Sequence, residues 1–210
     1  MHARVDEVRR RREIRCNDVP GDAQVSAGAE GVDAHGFSAQ RPEAESSPRG
    51  SAADRHCIIG AGPSGLAQAR AFAALGIEFD WFERHTAIGG LWDLENPGTP
   101  MYESAHLISS KTMSEFVGYP MPNDYPDYPS RAQVLAYLRG FAQQYGLVSR
   151  VRFGTAVESV RPEAGGFVVT VSGEQRRYRG VVCATGTTWK PRIPDIPGAF
   201  AGRVRHAQEY

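Results

Sequence analysis

The residues best placed to do chemistry in this sequence form the glycine-rich segment GAGPSG, residues 60–65. Glycines at its first, third and sixth positions fit a turn that binds a pyrophosphate. Gly60 would permit the tight turn, Gly62 would let the backbone approach the phosphates, and Gly65 would let a following helix pack closely on the preceding strand. The pattern alone is weak, because a chain with 23 glycines produces such spacing easily. Its meaning depends on the elements around it.

The flanking residues predict a strand, the turn, a helix and a second strand within about 30 residues. HCII at 56–59 is typical of a buried parallel strand, residues 64–75 are mostly good helix formers, and IEFDWFER at 77–84 predicts the second strand. Glu83 lies near the end of that strand, where a carboxylate would accept hydrogen bonds from an adenosine ribose and repel a 2′-phosphate. The sequence therefore predicts a dinucleotide site suited to FAD or NAD, and not to NADP.

Composition narrows the class of protein. Lysine plus arginine and aspartate plus glutamate each total 24, so charge gives no reason to expect a nucleic-acid partner. The three cysteines are far apart and form no CxxC, which disfavours a metal site, a disulfide framework or a redox dithiol. No apolar run approaches the roughly 20 residues of a membrane span, and no secretory signal is evident. We predict a cytoplasmic protein without a membrane partner; the oligomeric state is not predicted.

The chain divides into three predicted parts. Residues 1–53 have sparse apolar residues without periodicity and predict a disordered tail. Its arginine-rich stretch at 9–15 is a solvated tail, a product of a start codon assigned too far upstream, or a partner contact. Residues 54–190 predict a Rossmann-like domain, and the proline-rich residues 191–210 predict a linker.

The fold class predicted for the central part is α/β, with three layers. Residues 85–129 are rich in turn-forming residues, and a helix then starts at Ser130, where Gln133 completes a capping box. Short strands over about 151–182 predict a small antiparallel β-meander. The parallel sheet would contain strands 56–59 and 77–83.

Several motifs together resemble the flavin-containing monooxygenases. The stretch ERHTAIGGLWDLENPGTPMYESAHLISSKTMSEF, residues 83–116, resembles the family's region after the second strand, and the resemblance continues through PMPNDYPDYPSRAQVLAYLRGFA at 120–142. CATG at 183–186 resembles a strand end near the flavin. FAGRVRHAQEY at 200–210 fits the family's spacing Phe-x-Gly-x-x-x-His-x-x-x-aromatic. The resemblance covers about residues 55–210.

The resemblance implies FAD as cofactor, NADPH as reductant in the intact enzyme, and a small-molecule substrate with oxygen. It assigns no catalytic residue, and His206 is expected to shape the linker. The implied FAD contacts are Gly60, Ala61, Gly62, Pro63, Ser64, Gly65, Glu83, Gly90, Leu91, Trp92 and Ser109.

The function implied by the resemblance is that of the FAD-binding N-terminal part of an NADPH-dependent monooxygenase. Such an enzyme oxygenates nitrogen, sulfur or ketone substrates through a flavin hydroperoxide. The alternatives are a Baeyer–Villiger type enzyme and a truncated, inactive FAD-binding remnant; an NAD-only dehydrogenase would not need the GGLW segment at 89–92. Because the family's second glycine fingerprint, for NADPH, would lie beyond Tyr210, we expect the 210-residue chain to be incomplete and inactive with NADPH.

Residue 108 departs from the family pattern. Many members have an asparagine, which helps to hold the hydroperoxide, at the position of Ile108. An alkyl side chain can neither donate nor accept a hydrogen bond. The hypothesis is that the peroxide is short-lived unless another group replaces the asparagine; a long-lived hydroperoxide in a full-length protein would contradict it.

Overall fold

The computed structural model describes residues 54–209, so the predicted tail at 1–53 and Tyr210 lie outside the described residues. The described part contains two sheets and three α-helices. The helices are α1 (Pro63–Ala74), α2 (Lys111–Ser114) and α3 (Arg131–Gln144). The strands are β1 (His56–Ile59), β2 (Phe79–Phe82), β3 (Val151–Arg152), β4 (Val157–Glu163), β5 (Gly166–Val171), β6 (Glu174–Tyr178) and β7 (Gly180–Cys183).

The first sheet is parallel and has the strand order β3-β2-β1-β7. Its centre is the predicted strand–turn–helix–strand unit, since β1 pairs in parallel with β2 and α1 connects them. Helix α1 begins at Pro63, one residue before the predicted start, because proline at the first helical position lacks only an N–H that would have no intrahelical partner. Strand β2 is shorter than predicted.

Helix α3 follows its sequence prediction closely. Ser130 is the N-cap, and its side chain and that of Gln133 form the reciprocal capping box. The predicted apolar face is buried at Val134, Leu138 and Phe141. These residues pack on the same core as α1 and one face of the parallel sheet.

The predicted three-layer α/β architecture is confirmed, and its two cores lie on opposite faces of the parallel sheet. Strand β1 alternates between them: Ile58 packs with α1 and α3, whereas Cys57 and Ile59 pack against the antiparallel sheet β4-β5-β6. In the second core, the Tyr178 hydroxyl donates to Asp80 Oδ2 at 2.8 Å. Burial and this hydrogen bond raise the pKa of Tyr178 above its ordinary value.

The antiparallel meander contains fewer residues than the predicted range 151–182. It spans 157–178, and the strands at either end join the parallel sheet instead. The reason is packing: Val151 is buried and pairs with Trp81, and in β7 Val181 contacts one core while Val182 contacts the other. A strand that contacts both cores must lie between the layers.

Candidate cofactor-binding site

The glycine turn joins β1 to α1 through close backbone contacts. Gly60 has φ +101°, which favours glycine, and a Cβ there would overlap the carbonyl oxygen of Ala184 just beyond β7. A Cβ at Gly65 would overlap the carbonyl oxygen of Gly60. Trp81 on β2 donates from Nε1 to that same oxygen at 2.8 Å. The turn is therefore held on the ends of three parallel strands, and the roles predicted for Gly60 and Gly65 fit this geometry.

Helix α1 presents its N-terminus at this turn. Gly62 is the N-cap, and no side chain caps the helix. The amides of a helix's first turn have no intrahelical acceptor and lie at the positive end of the helix dipole. Ser64 is exposed beside them, so its hydroxyl can also donate to an anion. This end of the helix has the donors that a pyrophosphate requires.

Glu83 follows β2 directly and is almost completely buried, with 6% exposure. Its Oε2 accepts from the Ala61 amide at 2.6 Å, and its Oε1 accepts from the His85 amide at 2.7 Å. Because a carboxylate has about four acceptor positions, two remain for a diol. The N–H of Ala61 is directed to Glu83, so Ala61 orients the carboxylate; its predicted cofactor contact stays a prediction.

A second glycine pair, Gly89 and Gly90, lies against the first turn. The Gly89 amide donates to Ala61 O at 3.2 Å, and a Cβ on Gly90, which has φ +59°, would come within 3.0 Å of Gly62 Cα. The single 3₁₀ turn Gly90–Trp92 then begins. The predicted residues Gly90, Leu91 and Trp92 are thus brought next to the turn that contains Gly62.

A buried carboxylate that sequence analysis missed, Asp93, fixes this second turn to α3. Its Oδ2 accepts from Arg139 Nη2 at 2.8 Å and lies 3.2 Å from His85 Nε2, while its Oδ1 accepts from the Glu95 amide. Asp93 is 3% exposed, so these bonds form in a desolvated place where a carboxylate needs partners. Arg139 is 46 residues away in the chain, and no local pattern signals such a pair.

The surroundings of Ser109 differ from those of the glycine turn. Its hydroxyl is 2.6 Å from that of Ser114, both near the short helix α2, and no hydrogen bond in the described part of the chain joins Ser109 to the glycine turn. Ile108 beside it is 98% exposed. The segment is held instead by Lys111, whose ammonium donates to three loop carbonyls, those of Pro122, Asn123 and Tyr125.

His206 makes local contacts only. Its Nδ1 accepts from the Gln208 amide at 3.1 Å, and the Gln208 side chain donates to Gly98 O at 3.0 Å. The segment around His206 is thereby attached to the loop after the second turn. The role expected for His206, to shape the linker toward a nicotinamide domain, stays a prediction.

Residues 54–209 contain neither a metal cluster nor a membrane-spanning helix, and a cavity in this range lies apart from the predicted cofactor residues. No group of three or more metal-ligating side chains occurs there. No helix in this range has the length and apolar character needed to cross a membrane. A cavity of about 350 Å³ is lined by Tyr119, Met121, Tyr125 and Tyr137 among others, and none of its lining residues belongs to the predicted cofactor site.

The described residues therefore fit an adenine dinucleotide with a free ribose. Close-packed glycines form the turn, the N-terminus of α1 supplies donors for its phosphates, and buried Glu83 supplies oriented acceptors. These are features of the chain itself, independent of any likeness to other proteins.

Comparison with known proteins identifies the group to which these features belong. Residues 53–210 match the family model described as flavin-binding monooxygenase-like. The indole-3-pyruvate monooxygenase YUCCA1 of rice, Oryza sativa subsp. japonica, is 38% identical over 73% of this chain and 37% of its own. A flavin monooxygenase variant of Stenotrophomonas maltophilia is 32% identical, with a TM-score of 0.63 over 74% of this chain and 45% of its own.

A third relative acts on sulfur according to its name. The S-allyl-L-cysteine S-oxygenase of Allium sativum is 28% identical, with a TM-score of 0.60 over 69% of this chain and 39% of its own. The chain thus spans between about a third and a half of the length of these relatives. The family expected from the sequence motifs is confirmed: the chain belongs to the flavin-binding monooxygenase-like family.

Proposed function

We propose that this chain binds FAD through the glycine turn and Glu83, as the cofactor-binding part of an NADPH-dependent flavin monooxygenase. The observation that supports this most directly is Glu83, a buried carboxylate whose two oxygens are oriented by backbone amides at the turn. A buried carboxylate fixed in this way is suited to a ribose diol and repels a 2′-phosphate. When bound, FAD supplies the capacity to react with oxygen and transfer one oxygen atom.

In this proposal, different residues of the chain bind different parts of FAD. Amides of the first turn of α1 and the Ser64 hydroxyl donate to the phosphates. Glu83 accepts from the adenosine ribose, and Gly90–Trp92 lie beside the phosphate and ribityl portion of FAD. Ser109, near the flavin ring, remains a proposal that rests on the resemblance alone.

The substrate class is proposed only broadly. The relatives' names include an oxygenase of a sulfur compound and a monooxygenase of a keto acid. We therefore propose a small molecule with a soft nitrogen or sulfur nucleophile or a ketone, oxygenated with NADPH and oxygen as co-reactants.

The alternative is a chain that binds FAD without turnover. The binding features above would serve a remnant as well as an enzyme. Both alternatives predict FAD binding by the 210-residue chain. Oxygenation of a sulfide or amine with NADPH, measured on the natural protein isolated from its source cells, separates them.

The first test is FAD binding by the 210-residue chain. We expect one FAD per chain, measured by quenching of flavin fluorescence during titration. ADP should displace FAD, whereas 2′,5′-ADP should displace it at least about tenfold less well, because the Glu83 carboxylate opposes a 2′-phosphate. Absence of FAD binding, or equal displacement by both nucleotides, would contradict the proposal.

A further inference from the structure

Three successive carbonyl groups of the turn Gly90–Trp92 accept hydrogen bonds from side chains outside the turn. We call the three donors the carbonyl clamp. The bonds are Asn96 Nδ2 to Gly90 O at 2.9 Å, Thr99 Oγ1 to Leu91 O at 2.6 Å and Arg131 Nη1 to Trp92 O at 3.3 Å. Each carbonyl of the turn therefore has its own side-chain donor.

The carbonyl clamp is fixed by the surrounding fold. Asn96 is 2% exposed, and its backbone carbonyl oxygen accepts a hydrogen bond from the Thr99 amide at 3.0 Å. Arg131 is the first residue of α3, is 8% exposed, and also forms an ion pair with Glu103. The donors lie in a loop and a helix that are stabilised by these other contacts. The conformation of the turn is therefore fixed by residues outside it.

The turn needs such an external constraint because of its glycines. Gly89 has φ +147° and Gly90 has φ +59°. Glycine adopts positive and negative φ with similar ease, so a peptide next to these residues can reverse its orientation at little cost. A reversed peptide would direct a carbonyl oxygen, with its partial negative charge, to the side that now presents an N–H. Hydrogen bonds to all three carbonyls oppose that reversal.

On the side of the turn away from these carbonyls, two backbone N–H groups are available as hydrogen-bond donors. The Trp92 amide donates to Gly89 O at 3.2 Å, whereas the amides of Gly90 and Leu91 have no hydrogen-bond partner within residues 54–209. Both residues are half-buried, and Gly90 contacts Gly62, the N-cap of α1. Two unpaired amides thus adjoin the unpaired amides of the helix N-terminus.

From this geometry we infer that Asn96, Thr99 and Arg131 are positioning residues for FAD. By holding the carbonyls on one side, they present the Gly90 and Leu91 amides to the anionic pyrophosphate together with the N-terminus of α1. The inference rests on the proposed FAD binding, and it adds which residues outside the turn determine the affinity for the phosphates.

The test is Thr99→Val, which keeps the side chain's shape and removes the hydroxyl donor. FAD and ADP dissociation constants should each rise about fivefold to tenfold, in line with the loss of one hydrogen bond to a partly buried carbonyl. The affinity for adenosine, measured by displacement of FAD, should be unchanged because adenosine has no phosphate. Thr99→Ser keeps the donor and should restore binding to within about twofold of the wild type.

Thr170→Val is the matched control, since it removes a hydroxyl that bonds only within the antiparallel sheet, to Ser159. Equal FAD affinities for Thr99→Val and Thr170→Val would overturn the inference, as would a parallel loss of adenosine binding. If Thr99→Val does not fold, Arg131→Lys serves as the test of the inference. Lysine keeps a cation for Glu103 but cannot bind Glu103 and the Trp92 carbonyl at the same time as the guanidinium does, so FAD affinity should fall. Failure of the wild type to bind FAD would instead refute the proposed function, and the inference with it.

Discussion

The glycine turn and Ser109, which lies in the segment 108–117, were both expected to contact FAD, yet these two regions are stabilised in opposite ways. At the turn, backbone packs on backbone: Gly65 lies on the Gly60 carbonyl and Gly90 on Gly62, with no room for a side chain. In the segment, large apolar side chains are exposed, with Ile108 at 98%, Val117 at 89% and Met113 at 82%. The turn is specified by contacts among the described residues. In the segment, Phe116 packs on the core of α1 and α3, whereas Ile108, Met113 and Val117 belong to neither core.

This difference determines where substitutions should matter. At the turn, the conformation that binds a ligand is the conformation that permits folding, so binding and stability should be lost together. At Ile108, Met113 and Val117 in the segment, a side chain can change without changing either core. The following predictions test that contrast, from the largest expected effect to the smallest.

Among substitutions in these two regions, the largest effect should come from Gly65→Ala. The added Cβ would overlap the backbone oxygen of Gly60, which cannot move without disturbing β1 and the Trp81 hydrogen bond. We expect the free energy of unfolding to fall by about 3 kcal/mol, the upper range for overpacking, with loss of FAD binding. Urea unfolding followed by circular dichroism measures the first quantity.

Gly76→Ala is the matched control for Gly65→Ala. Gly76 has φ +67°, but a Cβ there meets no atom within 4 Å. Only the cost of a left-handed conformation applies, about 1–2 kcal/mol, and FAD affinity should not change. If the two variants lost equal stability and both bound FAD normally, close packing at the turn would not be the source of its specificity.

Glu83→Gln should have the next largest effect. An amide can still accept at one oxygen, but its NH₂ would face an amide N–H that now donates to the carboxylate, at Ala61 or at His85. The loss of a hydrogen bond to a buried charged group corresponds to about 1.5–3 kcal/mol. We expect FAD to bind about tenfold to a hundredfold more weakly, measured by fluorescence titration.

Glu95→Gln is the control for that experiment, because Glu95 is exposed and its side chain has no part in the site. It should bind FAD like the wild type. Unchanged affinity in Glu83→Gln would remove the principal support for the proposed function. Weakened affinity in both variants would instead indicate a general effect of negative charge.

Sequence alone predicted the turn and Glu83 because their determinants are local. Glycine spacing, the flanking apolar strand and an acid at the end of the next strand all lie within about 30 residues, where backbone geometry fixes their relation. The capping box at Ser130 and Gln133 was predictable for the same reason. The observed bounds of α1 and β2 differ from the predicted ones by one or two residues.

The partners of the second turn could not be predicted in this way. Arg139 reaches Asp93 across 46 residues, and Arg131 reaches Trp92 across 39. Such pairs depend on how α3 packs against the loop, which no local periodicity encodes. The assignment of β3 and β7 to the parallel sheet likewise depended on long-range packing, because a short apolar strand fits either sheet until both cores are known.

The smallest effect on folding is expected from Ile108→Asn, which introduces the residue that many family members have at this position. Since Ile108 is 98% exposed, the free energy of unfolding should change by less than about 0.5 kcal/mol. Ile58→Asn, at a completely buried isoleucine of β1, should cost about 4 kcal/mol or more and serves as the contrast. A loss above about 1 kcal/mol in Ile108→Asn would show that the Ile108 side chain packs against other residues after all. The same variant also sharpens the comparison of the two regions: an altered absorption spectrum of bound FAD, with stability unchanged, would indicate that the segment contacts the flavin ring. An unaltered spectrum would confine the binding determinants of this chain to the glycine turn, Glu83 and the second turn, and would remove Ser109 from the proposed site.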